Sequence, residues 1–317
     1  MKNEKKQDMT AELAEGKILP LVFKLTIPAV IAQLITFLYN IVDRMYVARI
    51  EGSGMDALAA LGIVLPITLI MQAFANLVGL GGAPRAGIKL GEGNPDEANR
   101  IFHTAFCLLV LLGIVIGAAA FCFARQIVLL FGCPESAVEF AVSYLKIYAC
   151  GTIFVMLALG LNPFILTQGY SRLAMYSVLL GAIINIVLDP LFIFTFGMGV
   201  QGSSLATVLS QLCSCIWCIC FFFSRKSLFR FQSNLLGLSP GRVFSIVSLG
   251  FTPFIMTLTE CAIQIVFNIN LNRATGGNKD YTAALTVMLS ALQLISLPLN
   301  GPVSYTHLRA HETVLDL

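Results

Sequence analysis

The stretch GAIINIVLDPLFIF, residues 181–194, has the composition of a helix that crosses a lipid bilayer. Asp189 interrupts this apolar run, with Asn185 one helical turn before it and Pro190 directly after it. An ionised carboxylate in hydrocarbon costs about 2.5–3.5 kcal/mol even on the mildest insertion scales. Its presence in such a helix therefore points to a functional use of the charge.

The whole chain has the composition of a membrane protein. Of its 317 residues, 57% are hydrophobic and 12% are charged, whereas a typical soluble domain is about 25% charged. Eight segments reach or approach the roughly 20 apolar residues that a span needs: 24–48, 58–82, 102–124, 140–162, 172–195, 202–223, 246–270 and 282–303. The ten-residue alternation of a β-barrel is missing, so we predict an all-α membrane protein, a polytopic helical bundle.

The loops predict how the chain is oriented. Basic residues in alternate loops favour one side by 12 to five, and the side rich in Lys and Arg is expected to be cytoplasmic. That side includes a polar N-terminal segment, 1–18, which has no signal-peptide pattern. The polar loops 89–100 and 224–242 lie on the same side, and the uncharged connection 196–201 forms an outer turn. We expect the chain to reside in the cell (inner or plasma) membrane.

An internal repeat predicts two lobes. KLTIPAVIAQL and SLGFTPFIMTL each place a proline just inside a helix start, and these prolines, Pro28 and Pro253, lie 225 residues or about six spans apart. Parallel six-helix repeats are typical of transporters, although duplication also produces structural proteins. We expect a six-helix N-lobe over 19–223, an inter-lobe loop over 224–242, and the first two C-lobe helices over 243–303. That makes about eight of an expected twelve spans.

The polar tail 304–317 does not continue the eighth span, and we expect it to be foreign to the protein. Its His307, Glu312 and Asp316 are for that reason not interpreted as a metal site. Four cysteines fall in the middle of the sixth segment, where thiols pack as small hydrophobes, and we expect packing there instead of metal binding: Cys213, Cys215, Cys218 and Cys220.

Two carboxylates lie in the predicted N-lobe, and each shares a helical face with an amide. Asn40 precedes Asp43 by three residues, and Asn185 precedes Asp189 by four. Asp189 has no basic residue in its own span. Desolvation favours its protonated form, so it can exchange a proton near physiological pH. The same oxygen atoms, together with Asn185 and a hydroxyl, also suit Na⁺, and the residues do not choose between the two ions.

A structural role is the alternative for Asp43, which could pair with Arg44 or Arg49 near the outer end of the first span. In the fifth span, Pro190 removes a backbone donor, and the resulting kink can leave carbonyl groups free to coordinate an ion.

The segments around both carboxylates resemble the multidrug and toxic compound extrusion (MATE) family, in the branch similar to bacterial multidrug exporters. The segments are LYNIVDRMYVARI, ALAALGIVLPI and GAIINIVLDPLFIFTFGMGVQGSSLATVLSQ, and the similarity runs from Leu19 to Pro302. Family members have twelve helices in two lobes and export organic cations and amphipathic drugs in exchange for H⁺ or Na⁺. The resemblance implies an N-lobe cation site formed by Asp43, Asn185, Asp189 and Thr207. It also implies a C-lobe cation site that includes Glu260.

Other polar residues allow two interpretations each. His103 is expected at the membrane interface, with a proton relay as the alternative. Gly113 and Gly117 have the spacing that permits close helix contact. Four amides could line a central cavity or form interhelical hydrogen bonds: Gln33, Asn40, Gln72 and Asn76.

The resulting hypothesis is an H⁺- or Na⁺-coupled antiporter of amphipathic or cationic small molecules. We expect it to work as a monomer in membrane lipid, without nucleic acid or a cofactor beyond the coupling ion. A lipid-linked precursor flippase is the first alternative, although only Arg44 supplies the mid-span charge that a pyrophosphate needs. A membrane-embedded enzyme is less favoured, because the protease and esterase motifs are missing. A phosphate-binding Gly-x-x-x-x-Gly-Lys is also missing, so we expect that ATP does not drive transport directly. With half of the cavity wall lacking, the 317-residue chain is expected to be inactive by itself.

Overall fold

The computed structural model describes residues 18–230 and 239–289. They form long α-helices in the order α1 (Ile18–Ala48), α2 (Gly54–Gly91), α3 (Pro95–Cys122), a short α4 (Ala124–Leu130), α5 (Val138–Thr167), α6 (Ser171–Pro190), α7 (Val200–Phe223) and α8 (Pro240–Ala274). A 3₁₀ turn, Glu135–Ala137, precedes α5. Helix α9 begins at 279, and its described part ends at 289. Seven helices in these ranges are long and apolar enough to cross a membrane, which confirms the predicted all-α membrane fold.

Some expectations fall outside the described residues. These are the N-terminal segment up to residue 17, positions 231–238 of the inter-lobe loop, most of the eighth predicted span, and the tail that contains His307, Glu312 and Asp316.

The predicted loop 89–100 is much shorter than expected. Helix α2 continues to Gly91 and α3 starts at Pro95, so only three residues separate the two helices. The side chain of Asn94 accepts a hydrogen bond of 3.2 Å from the backbone N–H of Glu97. Asn94 therefore caps α3, with a proline at its first position and acidic residues in its first turn, as helix starts favour. The polar residues that indicated a loop are helix-start residues.

A π turn, Leu191–Thr195, directly follows the end of α6 at Pro190. The backbone N–H of Phe196 donates to the carbonyl of Leu191 at 2.9 Å, a separation of five residues instead of four. The chain then reverses through Gly197 and Gly199, whose φ angles are +65° and +57°. Glycine is suited to positive φ, and this turn leads directly into α7, as predicted for 196–201.

Close helix contacts in the first lobe depend on glycine. A Cβ atom at Gly113 would lie 2.9 Å from the Cα of Ile153, and one at Gly117 would lie 2.7 Å from the carbonyl oxygen of Ala149. These distances are too short for any side chain, so α3 and α5 pack backbone against backbone at this pair. The contact predicted from the Gly-x-x-x-Gly spacing is confirmed.

Helix α2 contacts both α5 and α8. A Cβ atom at Gly250 would overlap the carbonyl oxygen of Leu77, and one at Gly81 would overlap that of Ile246. The α2–α8 contact therefore requires glycine on both helices.

Ion pairs connect α2–α3 to α8–α9 at both ends of the bundle. At one end, Arg242 Nε lies 2.9 Å from Glu97 Oε1, and at the other Lys279 Nζ lies 2.7 Å from Asp56 Oδ2. We call the end that carries residues 92–94, 168–170 and 224–230 the basic face. Successive helices run in opposite directions, so loops that alternate along the chain are expected at the same end of the bundle. The Arg242–Glu97 pair lies at the end that carries these loops.

Candidate cation site

Helix α6 holds a buried amide and a buried carboxylate. Asn185 is 1% exposed and Asp189 is fully buried, one turn apart on the face that meets α1 and α7. The Asn185 Nδ2 group donates to Asp189 Oδ1 and to Thr207 Oγ1, at 3.4 Å each. Both distances are long for a hydrogen bond. The amide thus connects α6 to α7 only loosely in this structure.

Helix α1 brings the second carboxylate to the same place. Asp43 Oδ1 accepts a hydrogen bond of 2.6 Å from the hydroxyl of Ser203 on α7. Ser203 and Thr207 lie one turn apart on α7, and their contacts with Asp43 and with Asn185 bring the half-buried Asp43 and the buried Asp189 into one cluster. Two carboxyl groups that share such a cluster are hard to ionise together without a proton or a cation beside them. We call Asp43, Asn185, Asp189, Ser203 and Thr207 the carboxylate site.

Two oxygen atoms of the carboxylate site are unused. Asp189 Oδ2 and Asn185 Oδ1 are buried, and neither has a hydrogen-bond partner among the described residues. A buried acceptor without a partner is costly, and hard cations prefer carboxylate and amide oxygen. Both atoms are therefore available to a cation.

Tyrosines surround the carboxylate site on the side of α5. Tyr144 is 6% exposed. The Ser204 hydroxyl donates to the Tyr144 carbonyl at 2.8 Å, which fixes α7 against α5. The rings of Tyr144 and Tyr148 stack with their centroids 6.2 Å apart.

The ion pairs of the described residues do not join Asp43 to Arg44 or Arg49. Arg44 is 8% exposed, and its Nη1 atom has no hydrogen-bond partner in the described part of the chain. Arg49 is exposed. The hydrogen bond of Asp43 leads to α7, while the neighbouring Arg44 interacts with Asp43 electrostatically, so the alternative of a structural pair with Arg44 stays open.

The other candidates lie outside the hydrogen bonds of the carboxylate site. Glu260 and Gln33 are exposed, on α8 and α1 respectively. His103 is 5% exposed, with its Nε2 3.8 Å from Cys107 Sγ. Among the cysteines of α7, Cys215 and Cys218 are buried and Cys220 is exposed. Three amides are half-buried: Asn40, Gln72 and Asn76.

Ser203 is the member of the site that the sequence did not lead us to predict. It precedes Thr207 by four residues in GSSLATVLSQ, so both hydroxyls share one face of α7. That spacing would have identified it once Thr207 was a candidate.

Comparison with known proteins agrees with this architecture. Multidrug export protein MepA of Staphylococcus haemolyticus is 26% identical over 264 residues, which cover 83% of this chain and 58% of the relative. MepA of Staphylococcus aureus strain MRSA252 is 25% identical over 78% of this chain and 54% of its own. The chain thus spans a little over half the length of these curated relatives.

Solved structures share the fold. The structure of the MATE multidrug transporter DinF-BH, solved in complex with a ligand, superposes with a TM-score of 0.84 at 28% identity, and the match covers 90% of this chain and 63% of that one. The MatE family model matches residues 28–191, a range that includes Asp43 on α1 and the Asn185–Asp189 pair on α6. With that match over more than half of its length, this multi-pass membrane chain belongs to the MATE family.

Proposed function

We propose that this chain forms the first lobe and the start of the second lobe of a cation-coupled antiporter. The whole transporter would export amphipathic, mainly cationic, small molecules across the cell membrane in exchange for H⁺ or Na⁺. The observation that carries the proposal is the cluster that brings the half-buried Asp43 of α1 and the buried Asp189 of α6 together around Asn185, Ser203 and Thr207. Relatives named multidrug export protein, and a similar multidrug transporter solved with a bound ligand, support the substrate class.

The oxygen atoms of the carboxylate site suit either coupling ion. A proton can be held between the carboxyl groups of Asp43 and Asp189. Alternatively, Na⁺ can be bound by carboxylate oxygens, the Asn185 carbonyl oxygen and the hydroxyls of Ser203 and Thr207. No other cofactor is proposed.

Coupling follows from the charge of the site. Without an ion, the carboxylate site is negative and attracts a cationic substrate, while a bound H⁺ or Na⁺ removes that attraction. Two ligands that oppose each other in this way lower each other's affinity by the same factor. Ion entry from outside would thereby release the substrate there, which is what antiport requires.

Orientation and assembly belong to the same proposal. The basic face would be cytoplasmic, because Lys and Arg accumulate in cytoplasmic loops. The transporter would function as a monomer. That residues 1–317 export nothing by themselves stays a prediction.

The decisive experiment measures dye export by the whole transporter in proteoliposomes. A fluorescent cationic dye is followed while a pH gradient or a Na⁺ gradient is imposed separately, with ATP absent. Export is expected to require one of the two gradients and to stop when that gradient is collapsed. Export that proceeds without either gradient and depends on ATP would contradict the proposal.

Ser203→Ala is expected to change the affinity of the site for the coupling ion without preventing folding, in a direction that identifies the ion. Loss of an oxygen ligand weakens Na⁺ binding, whereas loss of a hydrogen bond to the carboxylate strengthens proton binding. The change removes the 2.6 Å hydrogen bond to Asp43 and one oxygen atom from the site. A lost hydrogen bond to a charged group corresponds to about tenfold in affinity. The measurement is the ion concentration that gives half-maximal export.

The matched control is Ser210→Ala on the same helix, whose hydroxyl donates to the carbonyl of Thr207 and not to a carboxylate. Equal effects of the two changes would show that Ser203 has no special role.

A further inference from the structure

A cavity of about 500 Å³ lies at the basic face, and none of the residues of the carboxylate site line it. It is formed by the end of α2, the start of α3 and the first turn of α8. The polar residues that line it are Arg85, Lys89, Glu97, Ser239, Arg242 and Ser245. Nothing in the proposed antiport mechanism uses these side chains.

The cavity carries an excess of positive charge. Three cationic side chains line it, against the single carboxylate of Glu97. That carboxylate is already paired, with Arg242 Nε at 2.9 Å and with Arg100 at 3.8 Å. Lys89 forms its ion pair with Glu92, which does not line the cavity. An anion that enters the cavity therefore meets at least one cation whose charge is not neutralised.

Arg85 is that cation. Its guanidinium donates to the Ser248 hydroxyl at 3.2 Å. The described ion pairs do not include it, and its buried Nε atom has no hydrogen-bond partner in the described residues. A guanidinium presents a planar fork of donors that fits two oxygen atoms of one phosphate. Among the described residues, Arg85 therefore has no acidic partner that would occupy this fork of donors.

The start of α8 adds to the attraction. Ser239 is the N-cap of this 35-residue helix, and its side chain forms no capping hydrogen bond. The first amides of a helix carry partial positive charge and bind phosphate when they point at it. Gly241, in this first turn, lines the cavity. The guanidinium and the helix start therefore act on the same space.

The cavity lies near the end of a helix that is long and apolar enough to cross a membrane. Arg85 precedes the end of α2 by six residues, which is about 9 Å along a helix. Basic pockets between membrane helices bind the headgroups of anionic lipids. A phosphate at this position would contact α2 and α3 of the first lobe together with α8, and so join the two parts.

We propose that this cavity between α2, α3 and α8 binds a phosphate-bearing anion, either the headgroup of an anionic lipid or free phosphate. Lipid binding is measured by native mass spectrometry of the purified transporter with phosphatidylglycerol, and phosphatidylcholine serves as the zwitterionic comparison. Selective binding of phosphatidylglycerol is expected. Arg85→Gln should weaken it by about fivefold, as the loss of a charge-assisted pair implies.

Two further variants test whether the effect belongs to the cavity. Glu97→Gln removes the only carboxylate that lines the cavity and should tighten binding by about threefold. Arg225→Gln removes an exposed charge that does not line the cavity, and it should change binding by less than about twofold. Equal losses in Arg85→Gln and Arg225→Gln, or no tightening in Glu97→Gln, would overturn the proposal.

Inorganic phosphate separates the two sources of the anion. Displacement of phosphatidylglycerol by millimolar phosphate would identify the site as one for free phosphate. Retention of the lipid under the same conditions would identify it as a headgroup site. Phosphatidylcholine that binds as tightly as phosphatidylglycerol would overturn both.

Discussion

Asp189→Asn is expected to abolish ion-driven export by the whole transporter while leaving membrane insertion intact. Asparagine has nearly the same shape as aspartate, but it cannot take up and release a proton, and its neutral oxygen gives Na⁺ no compensating negative charge. Removing an ion ligand at a buried site should reduce export at least about tenfold, the equivalent of 1.4 kcal/mol. The side chain is fully buried between α6 and its neighbours. Its polar replacement keeps the packing of this region.

Dye export and drug resistance are measured in the same cells, with protein amount checked by immunoblot. Asp96→Asn is the matched control, because it removes an exposed acid at the start of α3. This control should export at the level of the unmodified transporter. Normal resistance in the Asp189→Asn cells would refute the role proposed for the carboxylate site.

Gly250→Ala is expected to destabilise the contact between α2 and α8. A methyl group at Gly250 would overlap the carbonyl oxygen of Leu77, and a backbone atom cannot move aside as a flexible side chain can. The two helices must separate, and overpacking of this kind costs about 1–3 kcal/mol. We expect the melting temperature of the purified protein to fall by roughly 5 °C.

Gly91→Ala is the control for this change. Gly91 is also helical, yet a Cβ atom there would meet nothing within 4 Å. Gly81→Ala, which would overlap the carbonyl oxygen of Ile246, should behave like Gly250→Ala. A melting temperature unaffected by both interface substitutions would show that the helices do not pack as described.

Hydrophobic runs were sufficient to predict the membrane helices, because a span needs a length of apolar residues that few other structures contain. They were less informative about helix ends. Asn94 and Pro95 indicated a loop, although the same residues also cap and start helices. Polar composition alone does not distinguish a loop from a helix start. The hydrogen bond from the backbone N–H of Glu97 to the Asn94 side chain identifies a helix start.

The candidate site was predicted in part for a similar reason. Asp189 and Asn185 are conspicuous because they are polar in an apolar span, and they belong to the same helix. The contact of Asp43 with Ser203 joins residues 160 positions apart. Serine is common in membrane helices, so only the packing of α1 against α7 singles out this hydroxyl.

The number of residues in the π turn after Pro190 determines the direction in which the chain enters the next helix. This turn uses one residue more than an α-helical turn, and Gly197 and Gly199 then direct the backbone into α7. A chain one residue shorter within 191–195 would close this turn and rotate the point where the chain leaves α6 by about 100° about the axis of α6. We expect α7, which carries Ser203, to start from a different place relative to Asp43. A deletion in this stretch, which has no ionisable side chains, would therefore impair ion binding at the carboxylate site.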